Sequence, residues 1–373
     1  MVARTTAHSR LAAVLFAALL GGCVGAPTRE SERAARDVWD QYLASKQGQF
    51  ASNAGTPSPL WSAAEQKQWP MYDLAGFYLP DGAVPEVLTV TPVDAAVDSA
   101  YRIVTRFWPA GVVTRDSSAT PVLTMTVYAR REGRRWILAN ALPYLTSTWA
   151  RETRGRIDFR IAPALRFDPA KAERAAAFVD SLATAFSVPA PPRIDYYVAE
   201  SVDQAMEILG VVTPERYGPN GGFAKPVNSQ VFSGIPALGE DYRHELAHVL
   251  LLPIVRDGNT SLFASEGVPT WFGGTAGRDY QGSVRHLDSL LRSQPKLDLH
   301  VIVRDMSVSS VIRNAAGAVL AELVNEAGGA AAVREYLHTP ANEIPDALER
   351  LLKRPWDTIA ADWRRRVARI AGT

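Results

Sequence analysis

The chain has 373 residues, of which 47% are hydrophobic and 21% charged, with 40 Lys+Arg set against 39 Asp+Glu. That length favours two domains, and that composition excludes disordered, fibrous and membrane-embedded classes. Near-zero net charge without any basic block speaks against a nucleic-acid partner.

The first element is an export signal. "MVARTTAHSR" is a polar, Arg-bearing opening and "LAAVLFAALL" an apolar run of ten, too short to span a bilayer. "GGCVG" follows, and Leu20-Gly21-Gly22-Cys23 resembles the lipobox of bacterial lipoproteins. The resemblance implies a signal peptide over 1–22 and diacylation of Cys23, the only cysteine, at the head of a lipidated tether over 23–32. Val24 in place of aspartate resembles outer-membrane sorting, so the expected location is the cell envelope, lipid-anchored to the outer membrane and facing the periplasm.

"SERAARDVWDQYLASKQ" then reads as a helix with Ala35, Val38, Trp39, Tyr42 and Leu43 on one face. A Pro/Gly/Ser-rich break over 52–59 precedes a short helix around "SAAEQKQW" that ends at Pro70. "EVLTV", "SAYRIVTRFW", "PVLTMTVYAR" and "RRWILANAL" read as strands, the last two joined by a hairpin turn around Gly133. Helices followed by a curved antiparallel sheet look similar to the NTF2-like fold, on element order alone, over 33–150. The arginines flanking the hairpin, Arg130, Arg131, Arg134 and Arg135, read as a solvated surface rather than an anion site, as do Arg364, Arg365 and Arg366.

A second unit, 151–373, opens with the strand "RIDFRIA" and a helix with Asp168 at its N-cap and Pro169 at its first position. "RIDYYVA" is another strand, and Ser201 with Gln204 forms a capping box. "GGFAKPVNSQVFSG" is a turn and strand leading to the helix that carries "RHELAHVL"; beyond Pro295 the chain is mostly helical. Gly273-Gly274 and Gly328-Gly329 lack the lysine and strand context of a phosphate loop.

"RHELAHVL" holds the chemistry. On a helix, His244 and His248 share a face and can offer two imidazole nitrogens to one ion, with Glu245 beside it as a base for metal-bound water. Glu266, 18 residues after His248 in "FASEGVPTWFGG", supplies a third ligand. Two histidines of an HExxH pattern, that step and then Glu-Gly resemble the gluzincin metallopeptidases, especially the M1 aminopeptidase-like or peptidase MA-like group. The resemblance is specific from Tyr242 to Gly274. It implies an α+β chain whose second unit is a thermolysin-like zincin domain, with a small sheet and a mostly helical C-terminal part. It also implies Zn2+ held by His244, His248 and Glu266, Glu245 as general base, and a polypeptide substrate; the lack of an acidic anchor in "GGFAKPVNSQ" points to an endopeptidase.

Three departures accompany it. Pro269 should break a helix interior, which would start the second helix near Ser265 and put Glu266 in its first turn. The upstream Gly-x-Met-Glu-Asn segment that anchors a substrate amine in the aminopeptidases is replaced by "GGFAKPVNSQ", which offers Lys225 and no acid. The oxyanion-donating tyrosine is missing from "VIRNAAGAVL", leaving Arg313 or Asn314 at that place, with Tyr280 or Tyr336 as substitutes from elsewhere. The alternatives are an inactive zincin-like binding lipoprotein, or a scaffold whose NTF2-like pocket is the functional site.

Overall fold

The computed structural model describes residues 26–373 apart from 54, 69–70, 78, 113–118, 216–220, 256–259 and 306. Cys23 and the signal segment lie outside the described residues. The chain is mixed α and β with two five-stranded sheets.

Helix α1 (Arg29–Ser45) starts inside the expected tether, because Thr28 caps it by accepting from the Ser31 amide at 3.1 Å. Its five expected apolar positions are all buried, and Trp39 donates its indole N–H to Thr105 at 2.8 Å on the sheet beneath. After α2 (Ala63–Lys67) come β1 (Val84–Asp94), β2 (Val97–Trp108), β3 (Leu123–Glu132) and β4 (Arg135–Ala139), followed by α3 (Leu142–Leu145). These strands pair antiparallel in sequence order. Two register shifts in β1 bend that edge, and Gly133 turns β3 into β4 at φ 61°. Arg130 pairs with Glu132 at 2.6 Å and Arg131 with Asp98 at 3.1 Å, so these hairpin arginines are paired.

The second sheet begins with β5 (Ala150–Arg154) and β6 (Ile157–Ile161), crosses over through α4 (Pro169–Ala185) to β7 (Ile194–Val198), and then meets α5 (Val202–Ile208) and β8 (Val211–Val212). It is completed by β9 (Gly222–Lys225) and β10 (Gln230–Ser233). Its order is β5-β6-β7-β10-β9, with the central β6, β7 and β10 parallel and antiparallel strands at both edges. Asp168 caps α4 by accepting from the amides of Ala170 and Lys171. At α5 the Ser201 hydroxyl accepts from the Gln204 amide at 3.1 Å, but the Gln204 side chain reaches back to the Glu200 amide, one residue upstream of a standard capping box.

β8 does not join this sheet. It pairs with β3 at Thr124 and Met125, so the first sheet recruits two residues from beyond the unit boundary at 150. The cores explain why. Along β7, Tyr196 and Val198 face a helical core while Tyr197 faces the core under α1, and along β10 Val231 and Phe232 divide the same way. β7 and β10 are therefore covered on both faces, whereas β6 alternates buried Ile157, Phe159 and Ile161 with half-buried Asp158 and Arg160, and the edge strand β5 is largely exposed.

Seven helices complete the chain: α6 (Arg243–Leu251), α7 (Leu262–Gly273), α8 (Tyr280–Ser293), α9 (Leu299–Arg304), α10 (Ser310–Leu337), α11 (Ile344–Leu352) and α12 (Trp356–Ala371). Gly329, at φ 61° and ψ −157°, breaks α10 near its end. On α12, Arg364 meets Asp288 at 2.7 Å and Arg366 meets Glu322 at 3.3 Å, while Arg365 pairs with Asp362. That arginine triplet is occupied by carboxylates.

One expectation is overturned here. Helix α7 starts at Leu262, capped by Ser261, and runs through Pro269, so Glu266 sits in its second turn rather than its first. Packing outweighs the lost backbone hydrogen bond. Gly267 lies against Gly317 of α10 so closely that a Cβ on it would be 2.5 Å from the Gly317 carbonyl carbon. Pro269 itself is buried in that packed helix.

Candidate metal centre

Helix α6 is apolar on almost every side: Leu246, Ala247, Val249, Leu250 and Leu251 are all buried. Such a helix is held by the core around it, so its two histidines one turn apart are fixed in direction. The Nε2 atoms of His244 and His248 lie 3.1 Å apart. Glu266, carried in by α7, places one carboxylate oxygen 3.5 Å from His244 Nε2 and the other 3.6 Å from His248 Nε2. A tetrahedral ion with bonds of about 2.0–2.1 Å has ligand-to-ligand edges of about 3.3–3.4 Å. The three distances lie near that value, two of them to different oxygens of Glu266, so the donor set and its spacing fit a small divalent ion.

The hydrogen bonding points the same way. His244 Nδ1 is 2.7 Å from the carbonyl of Gly274, so Nδ1 carries the proton and Nε2 presents a lone pair to the centre. A second imidazole nitrogen at 3.1 Å is tolerable only with a proton or a metal cation between the two. Without metal, His248 takes the proton. Burial pushes its pKa down, but the Glu266 hydrogen bond and the charges of Glu266 and Glu245 outweigh that and hold it above the ordinary value. Burial would likewise raise Glu266, yet hydrogen bonds from both histidines and their charges hold its carboxyl well below the usual carboxylate range.

A pH dependence follows. A metal must displace the proton that the raised pKa of His248 retains, so affinity is lost as pH falls and recovered as pH rises through that value. Below it, the apparent affinity for a divalent metal ion is expected to rise about tenfold per pH unit, with about one proton released on binding. Calorimetry in buffers of different ionisation enthalpy measures that proton; an affinity that does not weaken as pH falls below the ordinary imidazole range would contradict it.

The glycines flanking α7 serve this centre rather than any phosphate. A Cβ on Gly273 would lie 2.2 Å from the His244 amide nitrogen, and Gly274 adopts φ 75° to turn its carbonyl toward His244. Close approach of the two helix ends therefore requires both.

The ligands open on a cleft of about 470 Å³ whose walls include Glu245, Tyr242 and Asn314. Glu245 is 5% exposed. Tyr242, at the N-cap of α6, faces it: burial and then the charge and hydrogen bond of Glu245 push the phenol far above its usual pKa, so it stays protonated. Asn314 donates to Glu266 Oε2 at 3.3 Å.

Of the four expected oxyanion donors only Asn314 lines the cleft, one residue along α10 from Arg313, which does not. Tyr280 donates to Glu322 at 2.8 Å, away from the metal ligands. Tyr336 is fully buried in the helical core. Lys225 does not line this cleft either; it sits over the Phe77 ring, 5.8 Å from its centroid, on the other side of β9. Tyr242 is the residue that sequence reasoning missed. Its i, i+3 spacing to Glu245 at a helix start was a usable signal. The Gly274 carbonyl carried none, because a backbone contact has no side-chain signature.

No family model matches the chain, and no curated protein matches it.

Proposed function

We propose that the chain is a zinc-dependent peptidase of the gluzincin type. The first unit is NTF2-like and the second zincin-like, and the whole is lipid-anchored through Cys23 in the bacterial envelope. The observation that carries this is the convergence of His244, His248 and Glu266 at tetrahedral-edge distances, with Glu245 on the wall of the same cleft. Zinc bound there would supply a Lewis acid able to activate water at neutral pH. Metal binding alone needs only the three ligands. A carboxylate beside them that ligates nothing is what proton transfer requires, and Glu245 would take the proton of the attacking water and pass it to the leaving amine. Asn314 would hold Glu266 in place by its hydrogen bond, and the protonated Tyr242 lines the same cleft as Glu245.

Endopeptidase action is favoured by the carboxylates of the cleft. Its described walls carry two, Glu245 and Glu266, and both have other roles. No third acid is present there to pair with a substrate's α-ammonium, and a desolvated cation without a partner is penalised. β9, an edge strand bordering the cleft, offers backbone to an extended peptide. N-acetylated peptides are therefore expected to be cut at least as fast as free ones, with cleavage abolished by chelator and new N-termini read by mass spectrometry. Rapid hydrolysis of single-residue aminoacyl anilides, lost on acetylation, would contradict this.

A further inference from the structure

Behind β9 lies a second cavity of about 530 Å³, walled by Phe77 and Leu123 of the first unit, Met206 of α5, Val211 of β8, and Phe223 and Lys225 of β9. It forms where β8, paired with the first sheet, and the α5 helix that precedes it meet the edge of the first core, with Ala224 the one lining residue packed against the helical core. Strand alternation divides the ligand space: Phe223 packs toward the first core and Ala224 toward the helical core. Gly222, Phe223 and Ala224 border both this hollow and the metal cleft, so the two flank one short edge strand.

Lys225 is the single charged side chain on the described walls of this hollow. Burial pushes its pKa below the ordinary value. Among the described residues it makes no ion pair, and its recorded partner is the face of Phe77, 5.8 Å from the ring centroid. A half-buried ammonium over an aromatic ring, in an otherwise apolar hollow, favours one ligand chemistry: an apolar group with a carboxylate next to it.

We propose that this hollow is a second subsite for the polypeptide, taking an apolar side chain of Leu, Met or Phe size while Lys225 pairs with an adjacent carboxylate. The carboxylate could be an acidic side chain or the peptide's own C-terminus. The proposal rests on the peptidase reading for the identity of its ligand but not for its geometry, since the hollow needs no metal.

The test uses the Glu245→Gln protein, with and without chelator, and four labelled N-acetylated peptides: a C-terminally amidated Leu-Glu repeat, an amidated Leu-Lys repeat, and a Leu-Gln repeat as free acid and as amide. Fluorescence anisotropy should show the Leu-Glu peptide binding at least about tenfold tighter than the Leu-Lys peptide, whether or not zinc is present. Lys225→Gln should remove that preference and Lys225→Glu reverse it. Met206→Trp, which fills the hollow, should weaken both peptides. A gain for the free acid over the amide of the Leu-Gln repeat would identify the chain terminus as a source of the carboxylate. Binding of neither repeat, or a preference unchanged in both Lys225 variants, overturns the subsite. A protein that holds no zinc but keeps the Lys225-dependent preference would remove the peptidase reading and leave the subsite standing.

Discussion

Glu245→Gln is expected to keep its zinc and lose between about 10² and 10⁴ in kcat on an N-acetylated peptide, the range contributed by a positioned general acid or base. The amide has the volume of the carboxylate, so the cleft keeps its shape, and Glu245 contributes none of the three converging ligand atoms. What the substitution removes is a proton acceptor. KM should change little, because the residue acts on the water and the leaving amine rather than on substrate binding. His244→Ala gives the contrasting result. Loss of a partner that only orients a ligand costs about 10–100-fold in metal affinity, so deletion of a ligand itself should cost more than about 100-fold and activity with it. A Glu245→Gln protein as active as the parent would mean that the cleft does not perform this chemistry.

The second large effect lies one residue from a ligand. Gly267→Ala would place a Cβ 2.5 Å from the Gly317 carbonyl carbon, and backbone cannot swing aside as a side chain can. Overpacking costs typically 1–3 kcal/mol, and a backbone contact this close belongs at or above the top of that range, about 3 kcal/mol. Thermal unfolding should therefore fall by roughly 6–12 °C. Helices α7 and α10 must separate, moving Glu266 away from His244 and His248, so zinc occupancy should fall as well. Helical circular dichroism should persist at low temperature, which separates a displaced helix from a chain that fails to fold. An unshifted melting temperature would show that the helices are not in the close contact described.

Local signals in the sequence carried over into the structure where the deciding interactions are themselves local. The apolar stripe from Ala35 to Leu43, the turn at Gly133 and the Asp168 cap each depend on residues within one or two turns, and each stands as the spacing implies. The convergence of His244, His248 and Glu266 was legible because helical periodicity alone puts His244 beside His248, and the step to Glu266 completes a pattern that chance rarely supplies. The errors come from long-range packing. Pro269 argues against a helix locally, and the Gly267–Gly317 contact that sustains α7 spans 50 residues of chain. Two residues of β8 are too few to carry any periodicity, so their place on the first sheet was invisible. Lys225 was read as a possible wall of the metal cleft because alternation says which residues of a strand share a face but not which cavity that face meets. Tyr280 and Tyr336 were candidates by residue type alone, and their side chains turn to Glu322 and to the helical core.

Three side chains from α6 and α7, His244, His248 and Glu266, are proposed to hold one zinc ion. The most direct measurement is metal content per chain, by elemental mass spectrometry, for the parent protein, His244→Ala and Glu245→Gln purified side by side and dialysed against trace zinc. One zinc per chain is expected in the parent and in Glu245→Gln, and little in His244→Ala. A parent protein without zinc, or three proteins with equal zinc, would contradict it.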